Sequence, residues 1–273
     1  MRNPESPAAT LIHYAVTLPC AARIRANRSD NRSVALVPPR TDESPLQILP
    51  DFLVAAIVLT GAAAGLQRAL DLPAGVMVLA LLAYAAMALL VWRLRGNRPL
   101  TPADRVTLGR GLLVMLLIGL LPSAGALPAE PALPFALGIT AVLLDGVDGW
   151  VARRLDCVTA AGARFDMELD AVLLLVLTLW LFKLDLAGVW VLAIGAWRYA
   201  FILAGRWRPS LRQSLPASQR RRIICGIQAS GLAVLLAPGF PSPWIPPLAA
   251  LLLVLLSYSF IVDIAALWRF LRH

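Results

Sequence analysis

The sequence predicts an all-α, polytopic membrane protein, and three observations carry that expectation. Of its 273 residues 59% are hydrophobic, and the mean hydropathy is +0.73. The apolar residues gather into successive continuous runs of Leu, Ala, Val and Ile. A hydrocarbon core of about 30 Å takes about 20 residues of helix to cross, and a chain in lipid pairs its own backbone groups only in helices or in a closed barrel. Barrel strands would alternate apolar and polar residues, and these runs do not, so helices are expected. Charge is also segregated between the connecting loops. "PSAGALPAEPALP" and "APGFPSPWIPP" hold no Lys or Arg, whereas "WRLRGNRPLTPADR", "RWRPSLRQSLPASQRRR" and "WRFLRH" are rich in Arg.

The elements follow in order. Residues 1–48 scatter Arg23, Arg25, Arg28, Arg32 and Arg40 among Ser, Asn, Pro and Asp, and are expected to be a flexible cytoplasmic extension. "AATLIHYAVTLPCAA" has the look of a signal-peptide core. It is not read as one, because His13 interrupts it and Arg23 and Arg25 follow directly. Residues 49–95 are expected to hold two spans, 52–66 and 74–92, joined by the tight connector "QRALDLPAG". Residues 100–273 are expected to hold six more, at 106–121, 133–147, 163–181, 188–203, 221–236 and 246–267. Eight spans with both termini cytoplasmic place every Arg-rich loop on one side, as the positive-inside rule requires.

The formal charge of +9 and pI of 10.6 fit arginines lying near anionic headgroups. No basic segment interleaves aromatics or carries a reader motif, so nucleic acid is not an expected partner. Cys20, Cys157 and Cys225 show neither a CxxC nor a Cys/His spacing, which excludes a zinc knuckle or a disulfide framework.

One stretch breaks the apolar pattern: "DGVDGWVARRLDCVTAAGARFDMELD", residues 145–170. Asp145 and Asp148 are three apart and share one helix face; Asp166 and Asp170 are four apart and share another. Asp156 and Glu168 lie between them. Gathered carboxylates repel, and charge at membrane depth is costly, so a neutralising partner is needed. Hard oxygen ligands call for Mg²⁺ or Mn²⁺. Gly146, Gly149, Ala152, Ala160, Ala161 and Gly162 allow close backbone approach, and Arg153 and Arg154 can meet phosphate. The combination points to metal-assisted phosphoryl chemistry. A solvated helix cap explains one acidic pair but not two at helical spacing, and the alternating acids of an EF-hand are missing. A transporter would show related halves, and none are apparent.

The stretch resembles the signature of the CDP-alcohol phosphotransferase family, D-x2-D-G-x2-A-R-x8-G-x3-D-x3-D. Asp145, Asp148, Gly149, Ala152, Arg153, Gly162, Asp166 and Asp170 fall on its eight positions. Upstream, "DRVTLGR", with Asp104, Thr107 and Arg110, is similar to the N-x-x-T-x-x-R that opens the family's first core helix, with Asp104 where the family has Asn. The resemblance implies a six-helix core over residues 100–273, preceded by two extra transmembrane helices. It implies a CDP-linked lipid donor such as CDP-diacylglycerol, a small polar alcohol as acceptor, and release of CMP. It implies two Mg²⁺ or Mn²⁺ ions held by Asp145, Asp148, Asp166 and Asp170, with Asp170 as the general base. Thr107, Asp148, Gly149, Ala152, Arg153 and Gly162 would line the CDP site. The acceptor expected first is glycerol 3-phosphate, with Arg110 and Arg198 as candidates for its phosphate, because each lies in or beside a span. Inositol phosphate, inositol, serine or another alcohol stay open. A non-catalytic scaffold is the remaining class, and the complete set of costly aspartates argues against it. The eight-span topology places the acidic stretch on the cytoplasmic face, and the resemblance also implies the cell inner membrane and self-association as a homodimer.

Overall fold

The computed structural model describes residues 47–96, 98–127, 131–155, 157–207 and 219–270. Among them are eight α-helices and no strand: α1 Leu49–Leu70, α2 Gly75–Arg95, α3 Pro102–Leu120, α4 Ala132–Arg154, α5 Ala160–Lys183, α6 Leu192–Trp207, α7 Gln219–Leu235 and α8 Ile245–Phe270. Each overlaps one of the eight spans expected from hydropathy. The expected extension at residues 1–48 lies outside the described residues, apart from Gln47 and Ile48.

Local sequence sets the ends. Helix α1 stops where Asp71 turns left-handed at φ 50°, its N–H returning to the carbonyl of Gln67. Helix α2 stops at Gly96, with φ 63°. Helix α3 opens with Pro102 at its first position and a capping box between Thr101 and Asp104. Thr159 caps α5 by accepting from the N–H of Gly162. Two boundaries differ from the hydropathy reading. Helix α4 runs past Val147 to Arg154, because charged residues end an apolar run without ending a helix. Helix α6 starts at Leu192 rather than Gly188, since Gly188 is extended (φ −67°, ψ 170°) and a 3₁₀ turn, Val189–Val191, intervenes.

Five helical segments are long and apolar enough to cross a membrane: Leu49–Leu70, Gly75–Arg95, Pro102–Ala126, Ala132–Arg154 and Ser242–Val262. The protein is therefore a polytopic all-α membrane protein. Among the described residues the other three helices do not reach that length and apolarity, each for a visible reason. Helix α5 spends its first turns on Arg164, Asp166, Glu168 and Asp170. Helix α6 has only 16 residues. Helix α7 opens on arginines, leaving Ile223–Leu235 as its apolar part.

Helix α3 is the hub. It packs chiefly on α4 and α2, and also on α5 and α1. Its buried residues run all round the helix, from Ala103 to Leu120, which is the pattern of a central element. Trp180 of α5 is fully buried against it and donates its indole N–H to the Leu117 carbonyl at 3.1 Å. Gln228 of α7 is likewise buried and donates to the Leu252 carbonyl of α8 at 2.7 Å. The outer helices expose apolar side chains instead, such as Leu53, Val54, Ile57 and Val58 on α1, and Leu251, Val254, Tyr258 and Ile261 on α8. Those faces suit lipid.

The added helices are docked tightly on the hub. Tyr84 of α2 donates to the Phe52 carbonyl of α1 at 2.6 Å. At Gly119 of α3, an added Cβ would lie 2.7 Å from the Val76 carbonyl oxygen and 2.8 Å from Ala80 Cβ. Backbone cannot yield as a flexible side chain does, so Gly119→Val should destabilise the protein by about 1–3 kcal/mol. Its melting temperature in detergent should fall, while Gly61→Ala, with nothing within 4 Å of the new Cβ, should leave it nearly unchanged.

Candidate active site

The site forms where α3, α4 and α5 meet. The connection from α4 to α5 is only residues 155–159, so the two helices return past each other with their acidic ends side by side. Asp145 and Asp148 come from the last turns of α4, and Asp166 and Asp170 from the first turns of α5. Helical periodicity puts Asp145, Asp148, Gly149 and Ala152 on one stripe of α4.

The structure brings all four aspartates around a single guanidinium. Arg110 of α3 pairs with Asp145 through Nη1 and with Asp166 through Nη2. Its Nη1 also lies 3.2 Å from Asp170 Oδ1, and its Nε 3.8 Å from Asp148 Oδ2. The Arg110 side chain has 0% exposure, whereas those of Asp145, Asp166 and Asp170 are 43, 39 and 28% exposed. The cation is thus the floor of the site, and the carboxylates open outward from it. One turn before Arg110, the Thr107 hydroxyl donates to Asp148 Oδ2 at 3.0 Å and lies 3.1 Å from the Ala103 carbonyl. Asp148 is thereby held in one orientation while the other three acids stay accessible.

Ligand atoms of Asp145, Asp148 and Asp166 lie within 4.8 Å of one another. All are carboxylate oxygens, a donor set that fits a hard divalent cation rather than one preferring nitrogen or sulfur. With all five groups ionised, four carboxylates and one guanidinium leave three net negative charges, which favours cation entry. Asp170 is outside that three-residue group and joins it through Arg110.

The other residues expected at the site lie as follows. Gly149 lies beneath the Arg153 side chain, whose Nη1 would be 3.2 Å from an added Cβ. Ala152 is half-buried on the same stripe, and Arg153 is exposed. Gly162 is pressed against Asp104 and Thr159, whose oxygens would lie 2.5 and 2.9 Å from an added Cβ. This close approach is the local reason for glycine there. Arg198 of α6 pairs with Glu168, between the two α5 aspartates in sequence. Arg154 stacks over Trp150, 5.8 Å from the ring centre.

Two functional contacts were not expected from sequence. Glu168 serves as the partner of Arg198. Arg95, at the end of α2, pairs with Asp104 and donates to Thr159 Oγ1 at 2.8 Å. Arg95 sits in an Arg-rich loop where the positive-inside rule is explanation enough. The signal available was Asp104, an acid where the similar family pattern has a neutral amide.

A family model for CDP-alcohol phosphatidyltransferase matches residues 100–262, with both acidic pairs, Thr107 and Arg110 inside the match. The chain belongs to the CDP-alcohol phosphatidyltransferase family. Neither the curated proteins nor the solved structures give a match. Membership makes the chain a transferase that moves a phosphatidyl group from a CDP-alcohol to an alcohol; Asp145, Asp148 and Asp166 are the group that could hold a metal ion for it. Helices α1 and α2 lie outside the matched residues.

The Arg110 contacts make a direct prediction. Arg110→Met leaves four carboxylates facing one another without their buried cation. Only Asp148 among the four is buried, and solvent screens the other three, so the cost should fall below the about 3–5 kcal/mol of breaking a fully buried pair. The melting temperature of the detergent-solubilised variant should drop sharply without added metal, and Mn²⁺ should recover more of it than in the parent protein.

Proposed function

We propose that this chain transfers the phosphatidyl group of CDP-diacylglycerol to a hydroxyl of a small polar alcohol, glycerol 3-phosphate first, and releases CMP. The observation that carries the reading is the cluster of Asp145, Asp148 and Asp166, with Asp170 joined to it through the same arginine. The acceptor oxygen attacks the phosphorus bonded to the diacylglycerol oxygen. The bond from that phosphorus to the CMP oxygen breaks, and CMP carries away the electron pair.

In this reading Asp145, Asp148, Asp166 and Asp170 hold two Mg²⁺ or Mn²⁺ ions. When bound, such ions offset the charge that develops on the phosphoryl, attacking and leaving oxygens. Asp170 receives the proton of the acceptor hydroxyl, a role suited to a carboxylate that is buried on one side and 28% exposed on the other. Thr107 orients Asp148 through its 3.0 Å hydrogen bond. Gly149, Ala152 and Gly162 would lie along the CDP site, with Arg153, which covers Gly149, free to turn toward its phosphates.

For the acceptor's phosphate, the two candidates differ in access. Arg198 is 28% exposed and paired to one carboxylate, so an incoming phosphate can compete for it. Arg110 is fully buried and shared among four carboxylates, so it acts from beneath, by fixing the acids that do the chemistry. Segregation of arginines into alternate loops supports an active site on the cytoplasmic side of the inner membrane, where CDP and polar alcohols are found.

The test is acceptor-dependent CMP release by the purified protein in detergent. CDP-diacylglycerol and Mg²⁺ or Mn²⁺ are supplied, and glycerol 3-phosphate, inositol phosphate, inositol and serine are added in turn. Glycerol 3-phosphate should give the fastest release. Asp170→Asn should lower kcat by about 10²–10⁴-fold, as expected for loss of a general base, and Arg198→Gln should raise KM for the phosphorylated acceptor more than it lowers kcat. Undiminished CMP release by Asp166→Asn or Asp170→Asn would sink the mechanism.

A further inference from the structure

The ion pair between Arg95 and Asp104 joins α2, which lies outside the family match, to the site itself. Asp104 is at the start of α3, three residues before Thr107 and six before Arg110. Its side chain is 4% exposed, and that of Arg95 is 5% exposed. A buried carboxylate without a cation is strongly unfavourable. Within the matched residues this position resembles one that holds Asn in the family pattern, and a neutral amide would need no cation. Here the cation arrives from α2. Arg95 Nη2 contacts Asp104 Oδ2 and also donates to Thr159 Oγ1 at 2.8 Å, while Nη1 donates to the Pro99 carbonyl at 3.0 Å.

Both partners touch the frame that aims the catalytic acids. Thr159 is the cap of α5, and its hydroxyl oxygen receives the Gly162 N–H at 3.0 Å. Asp104 caps α3, accepting from the Thr101 N–H at 2.7 Å. Its other oxygen lies directly against Gly162. A single buried pair therefore ties the end of α2, the start of α3 and the start of α5. Four and eight residues past Gly162, α5 carries Asp166 and Asp170. Six residues past Asp104, α3 carries the arginine that pairs with them.

We infer that α2 is part of the catalytic unit, with Arg95 as a positioning residue. Its charge is matched to Asp104, and it sets α5 against α3 so that Asp166 and Asp170 meet the metal-binding cluster. The pair works as one device: removing either charge misplaces α5, and removing both restores a neutral joint of the kind the family pattern suggests. Only the kinetic arm of the test rests on the transferase reading.

Full-length Arg95→Gln, Arg95→Lys, Asp104→Asn and the double variant Arg95→Gln/Asp104→Asn are compared with the parent in detergent. Mn²⁺ affinity is read from the free-ion signal in electron paramagnetic resonance, and kcat and KM from CMP release. Groups that orient metal ligands typically change affinity or activity by about 10–100-fold when replaced. Arg95→Gln should weaken Mn²⁺ binding within that range and lower kcat, leaving KM for the acceptor little changed. Arg95→Lys should recover part of the loss. The double variant should come back to within about threefold of the parent, far from the product of the single effects.

A purely structural strap would lower the melting temperature and leave Mn²⁺ affinity of the folded protein unchanged, and that result overturns the inference. So does a double variant as impaired as the two single losses multiplied, or one that fails to fold. If Arg95→Gln does not fold, a double variant that folds and binds Mn²⁺ like the parent upholds the inference. If no protein, the parent included, releases CMP while the Mn²⁺ pattern appears as expected, the proposed transfer from CDP-diacylglycerol to these acceptors fails and the positioning role stands.

Discussion

Arg110 carries a positive charge to a place with no exposure, inside a helix otherwise made for the middle of a bundle. Neither Arg110 nor Asp148 could be accommodated alone there, because each would be a buried charge without a counter-charge, and the three more exposed aspartates would repel one another without the cation. Together they are tolerable, and this mutual dependence dictates the arrangement. Helix α3 must be central, so that one side chain can reach α4 and α5 at once. Helices α4 and α5 must be joined by a short connection, so that their acidic ends lie side by side. The remaining helices can be read as the enclosure that this core requires.

The asymmetry of exposure gives the cluster its chemical direction. The guanidinium lies underneath and is inaccessible, while Asp145, Asp166 and Asp170 retain access from one side. Hard cations and a diphosphate could approach only from that side. Thr107 adds a second level of order, since a hydroxyl bound to Asp148 leaves that acid less freedom than the other three. The acids are therefore both concentrated and oriented before any ligand arrives, which is the condition under which electrostatic stabilisation of a phosphoryl transition state is most effective.

The helices outside the family match show how an added segment becomes integral. Gly119 lets α2 cross α3 at backbone distance, and Arg95 supplies charge to a carboxylate that would otherwise be stranded. Close packing at one end and charge pairing at the other leave α2 little freedom to move relative to the site.

Much was legible in the sequence. Continuous apolar runs specify helices in lipid whatever the tertiary arrangement, because backbone groups there must be paired within the segment. All eight runs therefore appear as helices. The spacing of three and four residues put the aspartates on two helix faces, and their residue types called for hard cations before any fold was known. Hydropathy read eight spans, while five helical segments of the described residues are long and apolar enough to cross, since α5, α6 and α7 begin with charge or run short. It also ended α4 early, because it reads apolarity rather than hydrogen bonding. Pairing was wholly out of reach. Neighbouring residues set Arg110, in "DRVTLGR", and Arg198, in a span, apart from Arg95, but they do not say which carboxylate each one meets. Arg110, a candidate for the acceptor's phosphate, pairs with the acids, and Arg95, in a segment expected on the cytoplasmic side, is buried on Asp104. The sequence by itself determined the helices, the acidic stretch and the family, which are local properties of residue type and spacing. Which cation meets which carboxylate was decided only by tertiary structure, because an ion pair depends on distance in space, and the partners here are 9, 35 and 56 residues apart.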